Sequence, residues 1–261
     1  MIEIEPFGVD YERYSLAKCL GKIVRRYNIC SCAELPAHGA KAMPSIYSLG
    51  LAQAGAHVTL INPSPSVESN WEEVNLKHLM TISNQDEIHH TSFPDNSFDF
   101  VWNFAYFPMD LNPELLLTEM KRMSNRYIAI FSVNGRNVGA YIHRILHRVL
   151  DIPWTHGNVN FNFPKRLDRF IKLHGLNIVK TGVTDCPFWP DSLGFRDVRL
   201  HRLGVKEMAT EWRSKTLEWM KTCKYPGWIY GVYFFESIPM PLLIKYIYAH
   251  IFYIIGEKKS G

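Results

Sequence analysis

Short apolar runs alternating with helical patterns across residues 29–133 leave few architectures open to this chain. Residues 29–34 form an apolar run suited to a buried strand. A turn follows, and then Pro44, whose missing N–H suits the first turn of a helix. The spacing predicts a helix over 44–54, with Met43, Ile46, Tyr47, Leu51 and Ala54 on one side and Gly55 at a left-handed C-terminal cap. Strands are expected at 57–61 and 79–83, separated by a weaker helical stretch around 71–76. Residues 98–104 (FDFVWNF) read as a further strand, and Asn112, Pro113 and Glu114 mark the start of a helix with Leu116, Leu117, Met120 and Met123 as its apolar stripe. Residues 127–133 (YIAIFSV) close that unit as another buried strand. Strands this apolar must be covered on both faces, and crossovers of this length are right-handed. The expected fold class is therefore α/β: a doubly wound, mostly parallel sheet with helices on both faces.

Beyond residue 133 the pattern predicts helices over 137–150 and 164–174, a strand at 176–183 and a closing strand at 251–256. A helix over 206–223 is expected to bury Met208, Trp212 and Trp219 as a core stripe. Residues 151–163 and 184–204 are too long and too rich in Pro, Trp, Asn and Asp for plain connectors, so they are expected to serve as lids or binding elements. The chain reads as one domain over 1–261, with a core of about 22–184 plus a strand near 250–257 and a C-terminal helical, aromatic lid. The lid and substrate elements are placed at about 137–165 and 185–249.

Charge and cysteine usage narrow the partners. A net charge of +4 spread along 261 residues lacks the basic stripe that neutralises a phosphate backbone, so no nucleic acid is expected. Cys30 and Cys32 lie two residues apart on one predicted strand and are both read as core. Five scattered cysteines and an N-terminus without a secretory pattern point to the cytoplasm. Residues 228–255 are apolar enough to span a bilayer, yet Glu236, Lys245 and His250 interrupt the run and Pro239 and Pro241 break any single helix. A core-plus-lid origin is expected, with peripheral membrane contact through 228–255 as the alternative.

In an open parallel sheet, ligands bind beyond the carboxyl ends of the strands where the strand order reverses. That rule selects the loops at 34–43, 62–70, 84–93 and 103–112. Here the sequence resembles the class I, Rossmann-like, S-adenosylmethionine (SAM)-dependent methyltransferases, in particular their small-molecule branch. The resemblance covers about 29–134 and rests on SFPDNSFDFVWNF (92–104) and NPELLLTEMKRMSNRYIAIFSVN (112–134). It implies SAM as cofactor, with Glu34 in the acidic place after the first strand. The family's glycine places fall on Pro36, His38 and Ala40, with Gly39 out of step, so the turn has another shape, lined by Pro36, Ala37, His38 and Gly39. SAM carries no phosphate, so the missing glycines weigh more against a nicotinamide dinucleotide than against SAM. The resemblance further puts Asn62, followed by Pro63, at the ribose, Asp86 or Glu87 with Ile88 at the adenine, and Asn103 and Phe104 in the same cleft.

Methyl transfer from a sulfonium is an in-line displacement that needs a base only when the acceptor must lose a proton. His156 is the candidate catalytic residue. Tyr106, His143, Trp154, Asp185 and Trp189 are candidate substrate contacts. His143 and His147 lie one helical turn apart, but no third ligand is apparent in the sequence and Arg144 and Arg148 suggest a solvated basic face, so no metal is expected. The reading is a SAM-dependent methyltransferase acting on a small-molecule or lipid-like acceptor. The alternative is a catalytically silent protein of the same fold that binds a ligand or a partner.

Overall fold

The computed structural model describes residues 2–4, 8–38, 45–189 and 211–259. Seven strands form the main sheet: β2 (Ser31–Glu34), β3 (His57–Ile61), β4 (Met80–Ser83), β5 (Phe98–Phe104), β6 (Ser124–Val133), β7 (Leu176–Thr184) and β9 (Ile251–Lys258). Their order is β4-β3-β2-β5-β6-β9-β7. The first five run parallel, and β9 is antiparallel to both β6 and β7. From β2 the chain winds outward through β3 and β4, then returns to β5 on the other side. The reversal therefore lies between β2 and β5. A separate parallel pair joins β1 (Ile2–Ile4) to β8 (Glu211–Arg213).

Helices cover both faces. On one face lie α1 (Val9–Tyr27), the short α2 (Leu49–Ala52), α3 (Val67–Glu73) and α7 (Lys215–Thr222), which join Cys32, Val58, Trp102, Phe131 and Tyr253 in one core. On the other face α4 (Pro113–Met123) and α6 (Pro164–Leu173) pack on Ala33, Val101, Ile128, Ile130 and Ile254. Alternate residues of each strand serve opposite cores, as the pleat requires.

The largest element beyond the expected ones is α1, ahead of the first predicted strand. Its pattern is legible in hindsight: Leu16, Leu20, Ile23 and Val24 are buried, acids sit in the first turn, Arg25 and Arg26 in the last, and Asn28 caps it at φ 50°. Gly50 of α2 meets α1 so closely that a Cβ there would stand 2.4 Å from the Ala17 Cα. The helix expected over 44–54 is only Leu49–Ala52, preceded by turns at 45–48, while its expected start at Met43 and Pro44 lies outside the described residues. Ser45 at φ 70° is incompatible with a continuous helix there. Gly55 does take the left-handed conformation, at φ 97°. Of the helix expected over 206–223, Trp212 belongs instead to β8, the helix begins at Lys215, and Met208 lies outside the described residues. Cys32 is buried but Cys30 is exposed, because Ile29 rather than Cys30 is the last residue before β2 to enter the core.

The motif at 93–101 has a mechanical explanation. The Arg122 guanidinium, at the end of α4, donates to the Phe93 carbonyl at 2.6 Å, to Asp95 at 2.8 Å and to Glu119 at 2.7 Å. Glu119 in turn accepts from the Thr91 backbone N–H at 2.7 Å. Burial raises the Glu119 carboxyl, but the Arg122 and Thr91 hydrogen bonds outweigh it and hold the carboxyl below its usual range. The loop that delivers the chain to β5 is thus clamped by the helix that leaves it. Arg122→Ala is expected to destabilise the fold by roughly 2–3 kcal/mol, less than a wholly buried pair because the arginine is partly exposed. Urea denaturation measures it, and an unchanged midpoint removes the clamp from the account.

Candidate active site

Three adjacent strands end together at the reversal point. β2 ends in Glu34, β3 runs out at Asn62 and β5 at Phe104, and their carboxyl ends are cross-tied. The Leu35 N–H donates to the Trp102 carbonyl at 3.0 Å and the Ala37 N–H to the Ile61 carbonyl at 2.7 Å. Asn103 is fully buried; its amide donates to the Leu35 carbonyl at 2.6 Å and its oxygen accepts from the Phe107 N–H at 2.9 Å. Ala105 then turns in the left-handed region at φ 54°.

Glu34 lies beneath this turn with no exposed surface. One carboxyl oxygen accepts from the Ser48 hydroxyl at 2.6 Å, and that hydroxyl accepts from the Trp102 indole at 3.0 Å. The other oxygen, Oε1, is buried with no partner among the described residues. Burial pushes this carboxyl up to about 8, against the weaker pull of Ser48. A buried acid with an unused oxygen is a costly arrangement, and such groups concentrate at functional sites.

Above Glu34, Pro36 and Ala37 are buried while His38 is exposed. The His38 ring reaches the Asn62 carbonyl at 3.1 Å and meets Tyr106 edge-on at 5.3 Å, so it bridges the strand ends on either side of its own. Gly39 lies outside the described residues. Asn62 sits at φ 51°, and both ends of its amide are engaged by the Gln85 backbone, at 2.8 Å and 2.7 Å. It therefore fastens the loop after β4, where Asp86 and Glu87 are exposed and Ile88 packs against the same core as Phe93 and Tyr106. The two asparagines expected to face ligand, Asn62 and Asn103, thus spend their side chains on holding neighbouring loops in register. Pro63 follows, half-buried. Asp110, which no sequence signal singled out, is buried and pairs with His89 at 3.0 Å, tying the same two loops further out.

A second group forms around α5 (Val138–Val149). His143 and His147 are buried there, not spread on a solvated basic face, because the loop after α5 folds back over them. That loop brings His156 and Trp154 alongside: the His156 ring lies 5.0 Å from His143, and Trp154 lies 4.8 Å from His156. The loop itself is seated on the residues following β5. Asn158 N–H donates to the Pro108 carbonyl at 2.7 Å, and Gly157, at φ 70°, approaches Pro108 so closely that a Cβ would strike its carbonyl oxygen.

Asp185 and Trp189 stand apart from the turn after β2. They follow β7, four strands from β2 in the sheet order and so roughly 19 Å away at the usual strand spacing. Asp185 is buried and pairs with His250 at 3.0 Å, while the other His250 nitrogen donates to the Trp189 carbonyl at 3.0 Å. Trp189 meets Tyr11 of α1 edge-on at 5.9 Å. Their described contacts are those of a packed corner.

The 3-2-1-4-5-7-6 arrangement of the sheet, with one antiparallel strand inserted next to the far edge, is that of the class I Rossmann-like methyltransferases. Residues 43–126 match the methyltransferase domain family. Fold and match together support a methyltransferase of the class I fold, a family whose methyl donor is SAM. No curated protein matches the sequence. Solved structures share the fold at low identity. A putative sarcosine dimethylglycine methyltransferase from Galdieria sulphuraria is 15% identical, with a TM-score of 0.51 over 93% of this chain and 85% of that one. A putative methyltransferase from Haloferax volcanii, solved in complex with the Trm112 methyltransferase activator, is 12% identical, with a TM-score of 0.55 over 97% and 92%. The [4+2]-cyclase SpnF is 13% identical, with a TM-score of 0.53 over 94% and 81%.

Glu34 makes the fold's stability depend on pH. The folded carboxyl keeps its proton up to about 8, whereas the unfolded one releases it near 4.5. Between those values the unfolded chain binds fewer protons, so stability falls as pH rises. Glu34→Gln is expected to leave stability unchanged below pH 4.5 and to raise it by about a few kcal/mol above pH 8. Denaturation curves at acid, neutral and alkaline pH check this, and parallel pH profiles for the two proteins exclude a high Glu34 value.

Proposed function

We propose that this chain transfers a methyl group from SAM to a small-molecule or lipid-like acceptor, with the cofactor at the carboxyl ends of β2, β3 and β5. The observation that carries this reading is the buried Glu34 carboxyl with its unused oxygen at the reversal point. SAM is cationic at its sulfonium and its ammonium and carries no phosphate. A lone buried acid suits it, and a turn with Pro36, His38 and Ala40 at the family's glycine places forgoes only the anion nest that SAM does not use. Glu34 to His38 line the methionine end; Asn62 and Pro63 border the ribose; Asp86, Glu87 and Ile88 border the adenine; Asn103, Phe104 and Tyr106 close the opposite wall.

The acceptor enters from the side of the loop after β5. His156, beside His143 and Trp154, takes the acceptor proton when one must leave, and the neutral thioether departs from the other side of the transferred methyl. Asp185 and Trp189, held in the packed corner after β7, have no part in this acceptor site. A lipid-like acceptor is supported by exposed apolar side chains on α5 (Tyr141, Ile145, Val149) and on two C-terminal helices, α8 (Gly227–Ser237) and α9 (Leu242–Tyr248), where Phe234 and Leu243 are exposed. No helix among the described residues is long and apolar enough to cross a membrane. The contact we propose is therefore peripheral. A reducing, cytoplasmic setting accords with free Cys32 and Cys186 in the core.

A second reading, a catalytically silent ligand-binding protein, is favoured by one feature: the His38 ring bridges the mouth between Asn62 and Tyr106. Calorimetric titration with SAM and S-adenosylhomocysteine separates the two. Micromolar binding of both, with methyl release once an acceptor is supplied, supports the enzyme; binding without turnover across an acceptor panel supports the silent protein; no heat with either ligand defeats both. Because a cation drives Glu34 to ionise, SAM affinity is expected to rise with pH up to about 8, and Glu34→Gln to weaken binding and flatten that rise. His156→Ala is expected to lower kcat by about 100-fold or more while leaving the SAM Kd unchanged.

A further inference from the structure

We propose that His143, His147 and His156 form a binding site for a divalent, zinc-class cation. Each offers a ring nitrogen, and the three nitrogens lie within 4.8 Å of one another. Tetrahedral zinc with Zn–N bonds of about 2.0–2.1 Å sets its ligand nitrogens about 3.3 Å apart. The Nε2 atoms of His143 and His147 already stand 3.0 Å apart, so a side-chain rotation of His156 is the remaining adjustment. The i, i+4 spacing on α5 supplies two ligands on one helix face, and the loop supplies the third.

The surroundings prepare the His147 nitrogen for a metal, while the His143 Nε2 that faces it gives up its proton on binding. The Nδ1 of His147 faces the Ile152 carbonyl at 3.1 Å, an acceptor, so Nδ1 carries the proton and Nε2 presents its lone pair toward His143. The Trp154 ring lies within 5.6 Å of all three imidazoles and covers the cluster on one side. Its indole N–H is committed to the Gly157 carbonyl at 3.1 Å, which fixes the ring's orientation. Three neutral nitrogen ligands with no thiolate favour zinc over the hard cations, which require oxygen.

Three protein ligands leave a fourth position for water or for a heteroatom of a ligand, the pattern of catalytic rather than structural zinc. The site sits on Pro108, four residues beyond the end of β5. Its bearing on an acceptor rests on the methyltransferase reading; the binding of metal does not. If zinc is bound, proton removal passes from the His156 ring to a water or acceptor hydroxyl made acidic by the metal.

The test uses the full untagged chain, stripped with chelator and titrated without SAM. Zinc competing with a chromophoric chelator is expected to bind at one equivalent per chain, and cobalt in its place to show the visible absorption of a four-coordinate ion. His143→Ala, His147→Ala and His156→Ala are each expected to lower zinc affinity by roughly 100-fold or more, beyond the 10–100-fold typical of losing an outer partner. His156 is half-buried in a loop, so its variant tests the site even where a helix variant fails to fold, with circular dichroism as the control. Binding below one equivalent, an octahedral cobalt spectrum, or unchanged affinity in folded His156→Ala overturns the proposal. Failure of SAM to bind would leave this titration unaffected.

Discussion

The seam between β2 and β5 is the constraint on which the rest of the molecule depends. From this seam the chain winds away in both directions, so the pairing must be fixed at both ends for the loops beyond it to meet. At the amino end the Asp99 carboxylate accepts from the Cys30 and Ser31 N–H groups, at 2.9 Å each, and from Asn125. Burial raises this carboxyl, yet these hydrogen bonds outweigh that cost and hold it below its usual range. At the carboxyl end Asn103 does the same work with an amide, which can both donate to Leu35 and accept from Phe107 without carrying charge into a dry environment. A register slip of one residue would exchange the two cores.

With the seam fixed, the turn after β2 acquires its shape from partners rather than from glycine. The Ala37 N–H is drawn to β3 and the Asn103 amide draws Leu35 to β5, so the backbone is held between two strands. Ser45 extends the arrangement: its hydroxyl donates to the Ala37 carbonyl at 2.6 Å and accepts from the Ser64 N–H at 2.8 Å. A buried acid is tolerated at this point because Ser48 and Trp102 form a polar chain to half of it.

The C-terminal segment is anchored by polar contacts despite its apolar composition. Glu236 of α8 accepts from Tyr11 at 2.7 Å, from Ser15 at 2.7 Å and from the Cys186 N–H at 2.9 Å. Asn134, at the end of β6, donates to the Tyr246 and Ala249 carbonyls, and Asn137 caps α5 while holding the Tyr248 carbonyl. Glu236, which argued against a membrane span on grounds of charge, thus locks α8 onto α1. The proline pair at 239 and 241 sits in the break between α8 and α9.

Local pattern by itself determined the parallel strands, the left-handed conformation of Gly55 and the position of Glu34, because periodicity and turn chemistry depend on neighbours a few residues apart. The 93–101 motif was visible as a phrase, but its reason, an arginine clamp from α4, was not. Helix α1 carries the same kind of local signal, with Leu16, Leu20, Ile23 and Val24 at helical spacing and acids in its first turn. Tertiary structure alone decided that Asn62 and Asn103 hold loops, that Asp185 pairs with His250, and that His156 joins His143 and His147. Such meetings depend on where loops return after crossing the sheet, and Pro108 receiving the loop at Gly157 is an event of space that no spacing along the chain records.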